Sequence, residues 1–212
     1  MINSFRFSVA ADFFLDVYSP LICMGLHQLD TADSDLIRVR RDSDAAESDF
    51  NATEISDGTM VTWVGANNGF IAKWYNLGSS GSTNDLLMTT AASQPKIVDS
   101  STGLIIDPDN SNAAMFFDGS DDHFAFSTGW TSVSTYSQIH IFNRVTAAVK
   151  TPSIASSTDA QIYSTFWYSD NATYFKPTSN SGAGWTGDVS TGDFLDFTIY
   201  VTPNVQCWRN SV

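Results

Sequence analysis

From Leu36 onward, apolar and polar residues alternate. Ile37 and Val39 are interleaved with Arg38 and Arg40, the pattern of a strand with one buried face. After the turn signal Asn67-Asn68-Gly69, the run Phe70 to Tyr75 predicts another strand, with Phe70, Ala72 and Trp74 on one face. Further alternating runs predict strands near Ala113 to Phe117, His123 to Ser127, Gln138 to Val145, Ile162 to Tyr168, Thr173 to Lys176 and Phe194 to Val201. The last is the clearest. Leu195, Phe197, Ile199 and Val201 fall on a core face, and Asp196, Thr198 and Tyr200 on the outer one.

Helical signals are confined to the first third of the chain. Ser19-Pro20 reads as an N-cap followed by Pro at the first helical position, and Ile22, Leu26 and Leu29 recur at helical spacing, so a short helix is predicted over Pro20 to Leu29. Asp57-Gly58 precedes a second short helical pattern with Met60, Trp63 and Val64 on one side. Ser179 to Ser190, rich in Ser and Gly but carrying Trp185, reads as a long exposed loop. Many short strands at this spacing predict an all-β fold of two packed antiparallel sheets. It is read as one domain over residues 1–212, with residues 1–35 as an N-terminal arm holding the short helix.

Composition narrows the function classes. Charged residues are 16% and aromatics 13% of the 212 residues, a balance that favours strands over charge-laced helices. The formal net charge of −13 repels phosphate backbones and anionic headgroups, which argues against nucleic acid as a partner. No run approaches the roughly 20 apolar residues of a membrane span, and Met1 to Asp12 lacks the apolar core and cleavage site of a secretory signal. Cys23 and Cys207 are read as buried free thiols or as one disulfide. His27, His123 and His140 lie in unrelated contexts, without the spacing of a zinc site.

Three segments carry a family resemblance: LIRVRRDSDAAESDF (Leu36 to Phe50), NNGFIAKWYNLGSSGSTNDLLMTTAASQPKIV (Asn67 to Val98) and AAMFFDGSDDHFAF (Ala113 to Phe126). Together they resemble the concanavalin A-like lectin/glucanase-type domain of phage tail and virion proteins and are, more remotely, similar to the catalytic sandwich of arabinofuranosidase B-type enzymes. The resemblance covers about Leu21 to Ser127 and implies a concanavalin A-like β-sandwich. Relatives read Trp-Tyr-Asp-Gln-Ser-Gly-Asn-Gly where this chain has Trp74 to Gly81, with Asn76 and Leu77 replacing Asp and Gln. That departure bears on any ligand or metal contact the turn makes in relatives. Their catalytic acids find no match in Gln138 to Val212, so the resemblance implies the fold without the active site.

Among candidate binding residues, Trp130 and Trp185, flanked by Gly, Thr and Ser, read as loop aromatics able to stack on sugar rings or to anchor a protein interface. Trp167 reads as core or as a third member of that platform. Asp107-Pro108-Asp109-Asn110 offers hard oxygen ligands at alternate positions, suited to Ca2+, although an Asx-turn is the leading reading of the same residues. Asp118-Gly119-Ser120-Asp121-Asp122 has the same ambiguity. The mixed-sign run Asp42, Asp44, Glu47 and Asp49 beside Arg38, Arg40 and Arg41 reads as exposed ion pairs. No nucleophile elbow, phosphate loop or dinucleotide fingerprint appears.

The expectation is a non-enzymatic structural and attachment protein of a bacterial virus, a tail-associated, fibre or surface decoration domain located on the virion. It docks on other virion proteins, assembles as a homo-oligomer and binds host glycans. The alternatives are a glycoside hydrolase of arabinofuranosidase type and a free carbohydrate-binding module.

Overall fold

The computed structural model describes residues 13–108, 110–118 and 120–127, and the backbone of the strands within 135–144, 164–167, 172–176, 183–186, 192–201 and 204–211. The chain divides into two compact units. One is Met1–Asp107 with Ser111–Thr128, the other Pro108–Asn110 with Gly129–Val212.

The first unit opens with a single helical turn, α1 (Phe14–Val17), and its sheet begins with the hairpin β1 (Ile37–Arg41) and β2 (Glu47–Phe50). The turn between them is closed by Arg41, whose guanidinium pairs with Asp44 at 2.7 Å and whose amide donates to Ala46 O at 2.8 Å. Helix α2 (Ala52–Ser56) follows at once, started by a capping box in which Asn51 and Glu54 each accept the other's amide. Helix α3 (Thr59–Val64) starts at Gly58, whose φ of 88° is open to glycine at no steric cost. Strand β3 (Gly69–Trp74) returns antiparallel beside β1.

Strand β3 is the hub of the sheet. Its far edge pairs with β4 (Leu86–Leu87) at one end and β5 (Lys96–Asp99) at the other; β6 (Gly103–Leu104) extends β5, and β7 (Ala125–Phe126) extends β4. Splitting one edge between two partners curls the seven strands into a half-barrel. Ile37, Val39, Ile71, Ile97 and Val98 line its inside, and Ile55, Met60 and Val64 from α2 and α3 fill it. A Cβ on Gly69 would approach Val39, Val64 and Val98 to 3.1–3.2 Å, so helix and strands meet closely over that position.

In the second unit, β9 (Ser164–Trp167), β10 (Ala172–Lys176) and β11 (Ala183–Thr186) form one three-stranded antiparallel sheet in the order β11-β10-β9. A second sheet, ordered β13-β12-β8, contains β8 (Thr135–Arg144), β12 (Gly192–Val201) and β13 (Asn204–Ser211). Its register sets Phe197 opposite both Ile139 and Trp208, and Leu195 opposite Ile141, which gathers apolar residues on one face.

These findings correct the expected fold. The first unit, which holds the resembling segments, is a curled half-barrel sheet with three helices interspersed among its strands, not the all-β, two-sheet concanavalin A-like β-sandwich that the resemblance implies, and the assignment to that family falls with it. The physical reason lies in β3. β3 shares one edge between the short partners β4 and β5 and bulges where Ile71 and Lys73 face the consecutive residues Val39 and Arg38, and a bulge bends its strand, so the sheet curls on itself around α2 and α3.

The helix predicted over Pro20 to Leu29 does not form. The backbone there is committed elsewhere: Pro20 O, Leu21 O and Cys23 O accept from Ser79 N, Ser80 N and Leu77 N at 2.8, 3.1 and 2.9 Å. Among the described residues no helix is long and apolar enough to cross a membrane.

Candidate functional site

The outer side of the curled sheet carries cations engaged by neighbouring side chains. Arg38 holds Asp49, its register partner, through two bonds of 2.7 and 2.8 Å, and Asp49 also accepts from the Tyr75 hydroxyl at 2.8 Å. The Arg38 guanidinium lowers the Asp49 carboxyl below the usual range. Burial, followed by the bond to Asp49, pushes Tyr75 up to about 12. Arg40 bonds Gln94 and lies over the Phe70 ring, Arg41 lies over Trp63, and Lys73 lies 4.2 Å from the Tyr75 ring centre. Lys96 pairs with Asp99 at 3.0 Å. Within the mixed-sign run, Arg38 with Asp49 and Arg41 with Asp44 form ion pairs, while Asp42 accepts from Asn68.

A clasp joins the N-terminal segment to the turn after β3. The buried Asn76 Oδ1 accepts from Cys23 N and Gly78 N at 2.8 and 2.9 Å, while its Nδ2 donates to Ser80 Oγ, Gly81 O and Leu21 O at 2.7, 3.1 and 3.4 Å. Asn76 is one of the two positions, with Leu77, at which the sequence departs from the resembling motif. Five partners make Asn76 an organiser of the turn. Cys23 is a free, half-buried thiol whose pKa is raised by burial.

The predicted cation ligands fare differently. Asp107 is half-buried and starts a tight loop, its amide donating to Asn112 O and its carbonyl accepting from Ser111 N, both at 2.8 Å. Asp109 lies outside the described residues. Asp118, Asp121 and Asp122 each bring one carboxylate oxygen within 4.8 Å of the others, a spacing open to a cation. Two of their bonds are those of a turn, Asp122 accepting from Asp118 N at 2.8 Å and Asp118 from Ser120 N at 2.7 Å, and Asp121 accepts from the distant Ser93 Oγ at 2.8 Å. Burial, then the neighbouring carboxylates Asp118 and Asp121, raise the Asp122 pKa.

A shallow depression of about 360 Å³ is lined by Lys96, Asp99, Ser101, Thr102, Ile105 and Phe116. Its charged groups already bond one another, with Asp99 held by Lys96 and by the Ser101 amide.

The aromatic candidates converge more closely. Trp130 lies outside the described residues. Trp167 in β9 and Trp185 in β11 are both register partners of Thr173 in β10, so the three occupy one row across the sheet and share a face. The next row on that face is Thr165, Phe175 and Ala183. Trp185 was expected in an exposed loop, but the strand Ala183–Thr186 places it in this row. Spacing along the chain cannot reveal it, because the two Trp residues meet through a third strand.

The other sheet holds a row that the sequence reading missed. Asp196 is the partner of both His140 and Arg209. Opposite charges at cross-strand positions, here Asp196 and Arg209, stabilise a sheet on their own account by about 0.2–1 kcal/mol, and this row needs no ligand to explain it.

Charge is divided unevenly. The first unit has 17 acidic and 6 basic residues, a net of −11, and the second has 6 and 4, a net of −2. No family model matches this chain, and neither a curated protein nor a solved structure shows significant similarity to it.

Proposed function

We propose that this chain is a structural and attachment protein that works by binding a glycan through its second unit rather than by turning over a substrate. The observation that carries the reading is the row Trp167, Thr173 and Trp185 on one face of a three-stranded sheet. A Trp position on either side of a Thr position suits a sugar, which offers apolar ring faces for stacking and hydroxyls for hydrogen bonds. A bacterial virus particle is the setting proposed for this activity, with other virion proteins and further copies of the chain as docking partners. The strongly acidic first unit, a poor match for nucleic acid or anionic lipid, supports a role outward from a packaged genome.

Two measurements test the reading. The intact chain is applied to a glycan array beside its Trp167→Ala and Trp185→Ala variants; the expected result is binding by the parent that both variants lose, and a blank array removes the attachment reading. Light scattering of the native protein, alone and with the products of adjacent genes, tests assembly. A symmetric oligomer or co-complex is expected, and a persistent monomer with no partner removes the particle setting.

A further inference from the structure

The face shared by Trp167, Thr173 and Trp185 also carries Thr165, Phe175 and Ala183, and none of these six residues is ionisable. The sheet's one charged residue, Lys176, pairs with Ser164 and falls on the opposite face. Sites for anionic sugars need Arg or Lys to hold a carboxylate or phosphate. Here the residues at hand are hydroxyls and rings, in a unit whose net charge is only −2.

Spacing and twist add a geometric condition. Trp167 and Trp185 stand two strands apart, about 10 Å between backbones, roughly the length of two linked pyranose rings in an extended chain. Adjacent strands are rotated by about 20–25°, so the two Trp positions are turned by about 45° relative to each other. A flat crystalline array of chains meets both only by distortion. A single chain that twists along its own length meets both without it.

We infer that the ligand of this row is a single, neutral, extended pyranose chain crossing the three strands, with successive rings at Trp167, Thr173 and Trp185, so that three linked sugars are the smallest full-affinity unit. The inference rests on the glycan-attachment reading above and narrows it to one ligand class.

The test titrates the intact chain calorimetrically with cello-, xylo- and malto-oligosaccharides of one to six units and with oligogalacturonides, and measures its sedimentation with crystalline cellulose. In a neutral series, affinity is expected to rise about tenfold from two units to three, the size of one added stacking contact, and to change little beyond. Trp167→Ala and Trp185→Ala each remove that step, and Thr173→Arg, which obstructs the middle of the row and leaves both rings, removes it too. Circular dichroism checks each fold, and Thr173→Arg carries the test if an Ala variant unfolds. The inference is overturned by affinity independent of length, by a step that survives these variants, by tighter binding of oligogalacturonides, or by binding to crystalline cellulose without the soluble chains. It is also overturned if the array reports a glycan but none of the neutral series binds, an outcome that leaves the attachment reading standing; a blank array removes both.

Discussion

Lys73 Nζ lies 2.7 Å from Asp85 Oδ2, and the Asp85 side chain is almost wholly buried. Among the described residues no hydrogen-bond donor is aligned on that oxygen, so the ammonium compensates it by charge, while Oδ1 accepts from Asn76 N at 2.8 Å. Removing one partner of a buried ion pair is far more costly than the pair is stabilising, because it strands a desolvated charge. Lys73→Met is therefore expected to destabilise the fold by about 3–5 kcal/mol in urea titrations, and Lys73→Met with Asp85→Asn to recover much of that loss. An isolated Lys73→Met effect below about 1 kcal/mol would show Asp85 to be hydrated or otherwise paired.

Asn76 is expected to reject its nearest isostere. An aspartate there retains the acceptor role toward Cys23 N and Gly78 N but has no donor for Ser80 Oγ, Gly81 O and Leu21 O, and sets a carboxylate against two carbonyls. Asn76→Asp should cost about 2–3 kcal/mol at pH 7, with the deficit shrinking as the new carboxyl is protonated. A denaturation midpoint equal to the parent's would remove Asn76 from its organising role.

Gly78 is fixed by space. A Cβ there would lie 2.6 Å from Leu21 O and 2.8 Å from Ile22 Cα, both main-chain atoms that cannot rotate away. Gly78→Ala is expected to cost about 1–3 kcal/mol and to raise hydrogen exchange at the Cys23, Leu77, Ser79 and Ser80 amides. Unchanged exchange at those amides would contradict the contact.

Stability should fall at both ends of the pH scale for identifiable reasons. Because Arg38 lowers Asp49 in the folded state, this pair's stabilisation is present above the unfolded carboxyl value near 4 and is lost as pH falls through the lower folded value. The pair is partly exposed, so Asp49→Asn should cost only about 0.5–1 kcal/mol at pH 7, a cost that shrinks as pH falls below the unfolded carboxyl value near 4. Tyr75 shifts the other way: its contribution is present below the unfolded value near 10 and is lost as pH rises through about 12. Ultraviolet titration of the parent against Tyr75→Phe should show one phenol ionising later than the rest.

Local signals in the sequence were legible where they were strong. Ile37 and Val39 lie buried in β1, Met60 and Val64 are buried on α3, and the last long alternation became β12. The Asn51 to Glu54 capping box was also readable, although the helix it starts was not predicted. The predicted face of Phe70, Ala72 and Trp74 failed because of the bulge at Ala72: Ile71 takes the core position before it, while Ala72 is buried and Trp74 packs on the core after it. A register shift is set by the neighbouring strand, and period-two alternation does not contain it. The stripe of Ile22, Leu26 and Leu29 misled for a similar reason, since distant amides rather than local ones satisfy that backbone. At the candidate site, Trp167 and Trp185 were both visible as residues, but Thr173 as their common neighbour was not.

The clasp around Asn76 also bears on how the chain reaches its native state. Its bonds join residues 53 to 59 positions apart, Cys23 with Asn76 and Pro20 and Leu21 with the loop beyond it. Such long closures form late, because their ordering entropy is lost before any contact rewards it. On the ribosome, residues 20–23 must therefore wait, bonded only to water, until residues 76–80 have emerged. The apolar Leu21, which remains exposed even in the finished fold, makes that waiting segment a natural landing place for a chaperone.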